Sequence, residues 1–88
     1  MNLDKIVALL NEHHQRATYT AVGEYLGIGP RNVMHGRDRK PLNSWVVLAA
    51  TGYPAEYLPN QYHPNLIDNT YIITSRADLN NWLAEHQQ

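Results

Sequence analysis

Between Tyr19 and Arg37 the sequence prescribes two short helices joined by a tight turn, and few arrangements accommodate such a unit. Gly23 supplies the small mid-helix position that lets a neighbouring segment approach closely, and Gly27 supplies a turn backbone that tolerates positive φ. Val22, Leu26, Ile28 and Val33 fall where two steeply crossed helices would share a core. Pro30 stands at the opening of the second helix, where its missing N–H is not needed. The exposed face of that helix would carry Arg31, Asn32, His35 and Arg37, side chains that hydrogen-bond to phosphates and base edges. The pattern is that of a helix-turn-helix.

A chain of 88 residues forms one domain with a modest core, so residues 1–88 are read as a single winged helix-turn-helix domain. With no cysteine, disulfides, thiolate metal sites and cysteine nucleophiles are excluded. No basic flank precedes a long apolar run, and nowhere do eighteen apolar residues follow one another, so a cytoplasmic protein without a membrane partner is expected. The formal charge of −1 argues against indiscriminate coating of nucleic acid. Its placement is uneven, however. From His13 to Trp45, Arg16, Arg31, Arg37, Arg39 and Lys40 face only Glu24 and Asp38, whereas the rest of the chain sets Lys5 and Arg76 against six acids.

In chain order, Asn2 is a suitable N-cap, with Asp4 in the first turn and Leu3, Ile6, Val7 and Leu10 at helical spacing, which predicts a helix from Leu3 to His14. Thr18 is placed to cap the second helix, running to Leu26, and a third is expected from Pro30 to His35 or Gly36. Arg37 to Pro41 reads as a polar connection, with Arg39 and Lys40 extending the basic surface. Trp45 to Ala49 and Thr70 to Thr74 are β-branched, apolar runs expected to pair as an antiparallel two-stranded ribbon. Between them, Tyr53 to Asn69 carries three prolines and three tyrosines, and reads as a long irregular loop packed on the surface. Ser75 should cap a closing helix with Leu79, Trp82 and Leu83 on its apolar face. The sum is a mainly α, winged-helix-like fold.

Several of these pieces together resemble the C-terminal DNA-binding domain of alkylguanine-DNA alkyltransferases and the related alkyltransferase-like proteins. That family opens its helix-turn-helix with a tyrosine, as in Thr18 and Tyr19 here. Its Gly-x-Pro turn and Arg-Ala-Val are matched by Gly27 to Pro30 and by Arg31, Asn32 and Val33, with the turn shortened. Its Pro-Cys-His-Arg-Val-Val run corresponds to Pro41 to Val47, its turn glycine and tyrosine to Gly52 and Tyr57, and its closing helix to Trp82 to His86. The resemblance implies that Arg31 is a finger entering the duplex in place of an extruded base, that Tyr19 presses on the phosphate, and that Tyr57 lines a base pocket to which Asn43, Ser44 and Trp45 also belong. It also implies that the third helix lies in the minor groove.

The reactive cysteine of that family falls here on Asn43 or Ser44, and its histidine on Ser44 or Trp45. Asparagine is no nucleophile, and a serine without a hydrogen-bonded base stays protonated near neutral pH, so suicidal alkyl transfer is not expected. His35, His63 and His86 show no metal-ligand spacing, and no phosphate-cradling glycine loop with lysine appears, so neither metal nor cofactor is expected. The expectation is a non-enzymatic binder of duplex DNA that recognises damaged or alkylated bases by nucleotide flipping. Two other readings stand beside it: a transcription regulator reading the major groove, and a protein-interaction module that has lost DNA binding and serves a protein partner.

Overall fold

The first helix follows directly from its ends. In the computed structural model, which describes residues 1–86, α1 spans Leu3–His13. Asn2 Oδ1 accepts the Lys5 N–H at 2.9 Å, and the helix closes at His14, whose backbone is left-handed at φ 51°. Ile6, Val7, Leu9 and Leu10 are buried on one face.

The next segment was not legible in the sequence. Arg16–Thr18 forms β1, with all three residues buried. Thr18 both ends the strand and caps α2 (Tyr19–Leu26), its Oγ1 accepting the Ala21 N–H at 3.1 Å. Gly27 then turns the chain at φ 75°. Gly23 is needed as expected, because a Cβ there would lie 2.8 Å from the Ile28 carbonyl oxygen and 3.3 Å from Val33 Cγ2. Val22 and Val33 are buried, but Ile28, expected in the core, is 42% exposed.

The expected third helix is not formed. Pro30–Asn32 makes a single 3-10 turn, and the chain then bends through Val33 and Met34 to a turn at Gly36, φ 77°. Proline starts the turn well, but glycines at 29 and 36 bracket too few residues to offset helix nucleation, and burial of Val33 against Gly23 fixes the segment instead.

The sheet also corrects the expected architecture. Strands β2 (Val46–Val47) and β3 (Ile72–Ile73) fall inside the predicted runs, yet they do not pair with each other. Both flank β1 in a three-stranded parallel sheet of order β2-β1-β3, with Ala17 opposite Val46 and Ile73. The fold is therefore mixed α/β, not a mainly α winged helix with an antiparallel ribbon. An antiparallel pair can close through a short turn, whereas residues 48–71 separate β2 from β3 and carry the chain across to the far side of β1. A short parallel sheet covered on both faces also accounts for the burial of every β1 residue.

The segment from Tyr53 to Asn69 has no strand or α-helix and only one 3-10 turn, Pro59–Gln61, but it is well anchored. Leu66 is buried, and Gln15 and Arg16 bond to Asn69 at the loop's end and to the Gly52 and Tyr71 carbonyls just beyond its two ends. The closing helix α3 (Arg76–His86) begins where Ser75 Oγ accepts the Asp78 N–H at 3.1 Å, and buries Leu79 and Leu83. Trp82 is half-buried beside them. No helix among the described residues is long and apolar enough to cross a membrane.

Candidate nucleic-acid interface

The opening of α2, the bends after Pro30 and the first half of the long loop converge on one groove of about 660 Å³. Tyr19 and Tyr57 form part of its wall. Arg31, His35, Arg37 and Arg39 line it, and Pro30, Met34 and Leu48 contribute apolar surface. Six residues singled out from the sequence thus meet in one place.

The tyrosines are held firmly. Tyr19, as the first residue of α2, extends its hydroxyl to accept the Ala55 N–H at 3.0 Å. Tyr57 donates to the Asn43 carbonyl at 3.2 Å, and behind it Tyr62 stacks on Tyr53 with ring centroids 5.2 Å apart. Burial pushes the Tyr19 phenol above its ordinary pKa, against smaller opposing effects of the Ala55 N–H and Arg39. Burial and the neighbouring Tyr19 do the same for Tyr57. Both therefore stay neutral at physiological pH, and the Tyr19 hydroxyl, which accepts from Ala55, keeps its own proton to offer a phosphate oxygen, whereas the Tyr57 proton is given to the Asn43 carbonyl.

The cations differ in their freedom. Arg37 Nη1 lies 2.6 Å from Asp4 Oδ1 in the first turn of α1, and Arg39 Nη2 lies 2.8 Å from Glu56 Oε2. Among the described residues Arg31 makes no ion pair and is exposed, so its guanidinium projects from the short turn available to a ligand. Asn32 and Lys40 are also exposed but do not line the groove.

The remaining three predicted pocket residues lie elsewhere. Asn43 is buried with its Nδ2 donating to the Asp38 carbonyl at 2.9 Å. Ser44 is fully buried, donating to the Pro41 carbonyl and accepting the His63 N–H. Trp45 is fully buried, with Nε1 donating to Asn11 Oδ1 at 2.9 Å and its ring packed against His14 and His63. Asn43 reaches the groove only indirectly, through the carbonyl that receives the Tyr57 hydroxyl.

Sequence reasoning missed Met34, Leu48 and Glu56 as groove residues: Met34 lies within the helix-turn-helix stretch and Leu48 within an apolar run, but neither was given a role at the site. None of the three carried a sequence signal that marked it for the groove. No group of three or more histidine, aspartate or glutamate side chains among the described residues could hold a metal ion. Comparisons with known proteins returned no matching family model, no matching curated protein and no matching solved structure.

Proposed function

We propose that this chain is a non-enzymatic DNA-binding protein whose groove receives a nucleotide turned out of a damaged or mispaired duplex. The observation that carries the reading is the convergence of Tyr19, Arg31, His35, Arg37, Arg39 and Tyr57 on one groove. Its volume falls within the range of about 300 to 1,000 Å³ usual for small-molecule sites, enough for a nucleobase with its sugar. Aromatic walls supply stacking surface for a base, and the cations at the rim supply partners for the flanking phosphates. Arg31, exposed on its turn and without an ion pair among the described residues, is the side chain to fill the gap left in the stack. The resemblance to alkyltransferase-like proteins supports these roles for Tyr19, Arg31 and Tyr57. It does not supply chemistry, because no cysteine is present and Ser44 is buried with its hydroxyl committed to the backbone. A regulator that reads the major groove is less well supported, since the single turn Pro30–Asn32 offers no recognition helix to lay there.

The test compares an intact duplex with one carrying a single mismatch or an alkylated guanine, and with 2-aminopurine at the opened site. Extrusion costs a few kcal/mol from an intact pair and less from a weakened one, so the weakened duplex should bind more tightly and the probe should brighten. Arg31→Ala should remove both effects while leaving much of the salt-dependent background. Equal weakening of all duplexes with a quenched probe would reduce Arg31 to a phosphate contact. Gain of one alkyl group in the intact-protein mass would refute the non-enzymatic reading.

A further inference from the structure

Glu56 holds a backbone conformation that side chains avoid, at φ 62°. Among the described residues the one other non-glycine residue at positive φ, His14, closes α1, where a left-handed residue satisfies the helix end. Glu56 closes no helix. The chain on either side is instead pinned to the groove wall, by the Ala55 N–H on the Tyr19 hydroxyl and by the Tyr57 hydroxyl on the Asn43 carbonyl. The strained residue between these anchors delivers its carboxylate to the rim, where Oε2 accepts from Arg39 Nη2 at 2.8 Å. Among the described residues lining the groove, Glu56 is the one acid.

The pair is built to be exchanged. The Arg39 and Glu56 side chains are 49% and 79% exposed, and an ion pair so open to water is weak. A phosphate offers the same guanidinium a stronger set of charge-assisted hydrogen bonds, in the bidentate geometry that arginine favours. What the phosphate must overcome is the carboxylate it displaces, which then stands beside it as a like charge.

We propose that Glu56 is the specificity-determining residue of the groove: its carboxylate holds Arg39 in place of a phosphate and yields to a nucleotide whose base occupies the groove at the same time. The proposal rests on the nucleic-acid reading above. An intact duplex presents phosphates without a free base, so it meets the carboxylate with nothing to offset the repulsion. An extruded nucleotide brings base and phosphate together, and its base, stacked on the tyrosine-lined wall beside Glu56, turns the exposed carboxylate aside, so that the phosphate reaches Arg39 against less repulsion. Glu56 therefore sets the margin between the two.

The experiment uses the full chain and its Glu56→Gln variant, with fluorescence anisotropy on a labelled intact duplex and on the same duplex bearing one mismatch, over a salt series. Glu56→Gln should tighten binding of the intact duplex about tenfold and of the mismatched duplex about twofold or threefold, shrinking the preference. The slope of log K against log salt should steepen by up to about 0.9, one phosphate's share. Glu56→Gly, which relieves the backbone and removes the carboxylate, should give the same gain, and adding Arg39→Ala to Glu56→Gln should abolish it. Equal gains on both duplexes, or no gain, would overturn the selectivity role while DNA binding by the parent chain left the wider reading standing. A parent chain silent on both duplexes while Glu56→Gln binds would make Glu56 a general block and overturn the selectivity role, and silence of both in low salt would overturn it together with the nucleic-acid reading.

Discussion

Arg16 Nη1 donates to the carbonyl oxygen of Gly52 at 2.9 Å, joining the central strand to the turn that opens the long loop. Nη2 of the same guanidinium donates to the Asn69 carbonyl at 2.9 Å, at the loop's far end. One buried cation thus ties together two points 17 residues apart in sequence, and the loop between them carries Ala55, Glu56 and Tyr57 to the groove. Its Nε has no hydrogen-bond partner among the described residues, so the two carbonyls carry the stabilisation of a largely dehydrated charge.

Gly52→Ala should therefore be destabilising twice over. The backbone at Gly52 is left-handed, φ 75°, and the new Cβ would stand 2.9 Å from Arg16 Nη1. A loss of about 1 to 3 kcal/mol in urea unfolding is expected, and Arg16→Met, which strands both carbonyls, should lose about 2 to 4 kcal/mol. A Gly52→Ala chain as stable as the parent would deny the tie.

Gly23 and Gly29 make a matched pair of tests. Alanine is better than glycine in a helix by about 1 kcal/mol, so propensity alone predicts that Gly23→Ala stabilises α2. The 2.8 Å approach of the Ile28 carbonyl reverses that sign, and a net loss of about 1 to 3 kcal/mol is expected. At Gly29 the backbone has φ −65° and the nearest atom to an added Cβ is 3.7 Å away, so Gly29→Ala should be neutral or slightly stabilising. Denaturant midpoints that move the same way for both would contradict the packing described.

These glycines also mark what the sequence disclosed. Local signals were reliable: the Asn2 and Thr18 caps, Ser75 at the last helix and the left-handed Gly27 depend on neighbours within a few residues. Pairing was not disclosed, because β1 has three residues, one of them arginine, too short for any periodicity and of the wrong composition for a buried strand. Without it, the two apolar runs could pair only with each other. Tyr19, Arg31 and Tyr57 were picked out, yet Asn43, Ser44 and Trp45 turned inward, since position in a motif says nothing of which way a short segment faces. Glu56 escaped notice because its backbone conformation belongs to the folded loop alone.

His63 gives a pH dependence. Its Nδ1 accepts the Asn65 N–H at 3.0 Å, and its ring lies 4.9 Å from that of His14 and 4.8 Å from that of Trp45. Burial, then the proximity of His14, lowers its pKa below the ordinary 6.5, with Asp68 opposing more weakly. Between the lowered value and 6.5 the unfolded chain binds the proton and the folded chain does not. Stability is therefore whole above about pH 6.5 and declines as pH falls through that value towards the folded pKa. Denaturant midpoints at pH 7.5 and 5.5 should differ in that sense, and His63→Asn, whose Oδ1 can accept the same N–H without titrating, should reduce the difference. An unchanged difference would remove His63 as its source.

Arg37 and Lys40 should contribute unequally to DNA binding, because only one of them gives something up. Arg37 is held 2.6 Å from Asp4, and a phosphate recruiting it must displace or tolerate that carboxylate. Lys40 is exposed and makes no ion pair among the described residues. Lys40→Ala should then weaken all duplexes and flatten the salt slope by up to about 0.9, and Arg37→Ala should do the same by a smaller amount. Asp4→Asn supplies the converse, since it frees Arg37 and should tighten binding about twofold or threefold. The same change removes a negative charge from the first turn of α1, where it favours the helix, and should lower stability by about 0.5 kcal/mol. Affinity and stability would thus move in opposite directions in one variant, which a general perturbation of the fold would not produce. If Arg37→Ala instead penalises one DNA sequence above others, Arg37 reads a base edge, and its pairing with Asp4 positions a reader and not a phosphate contact.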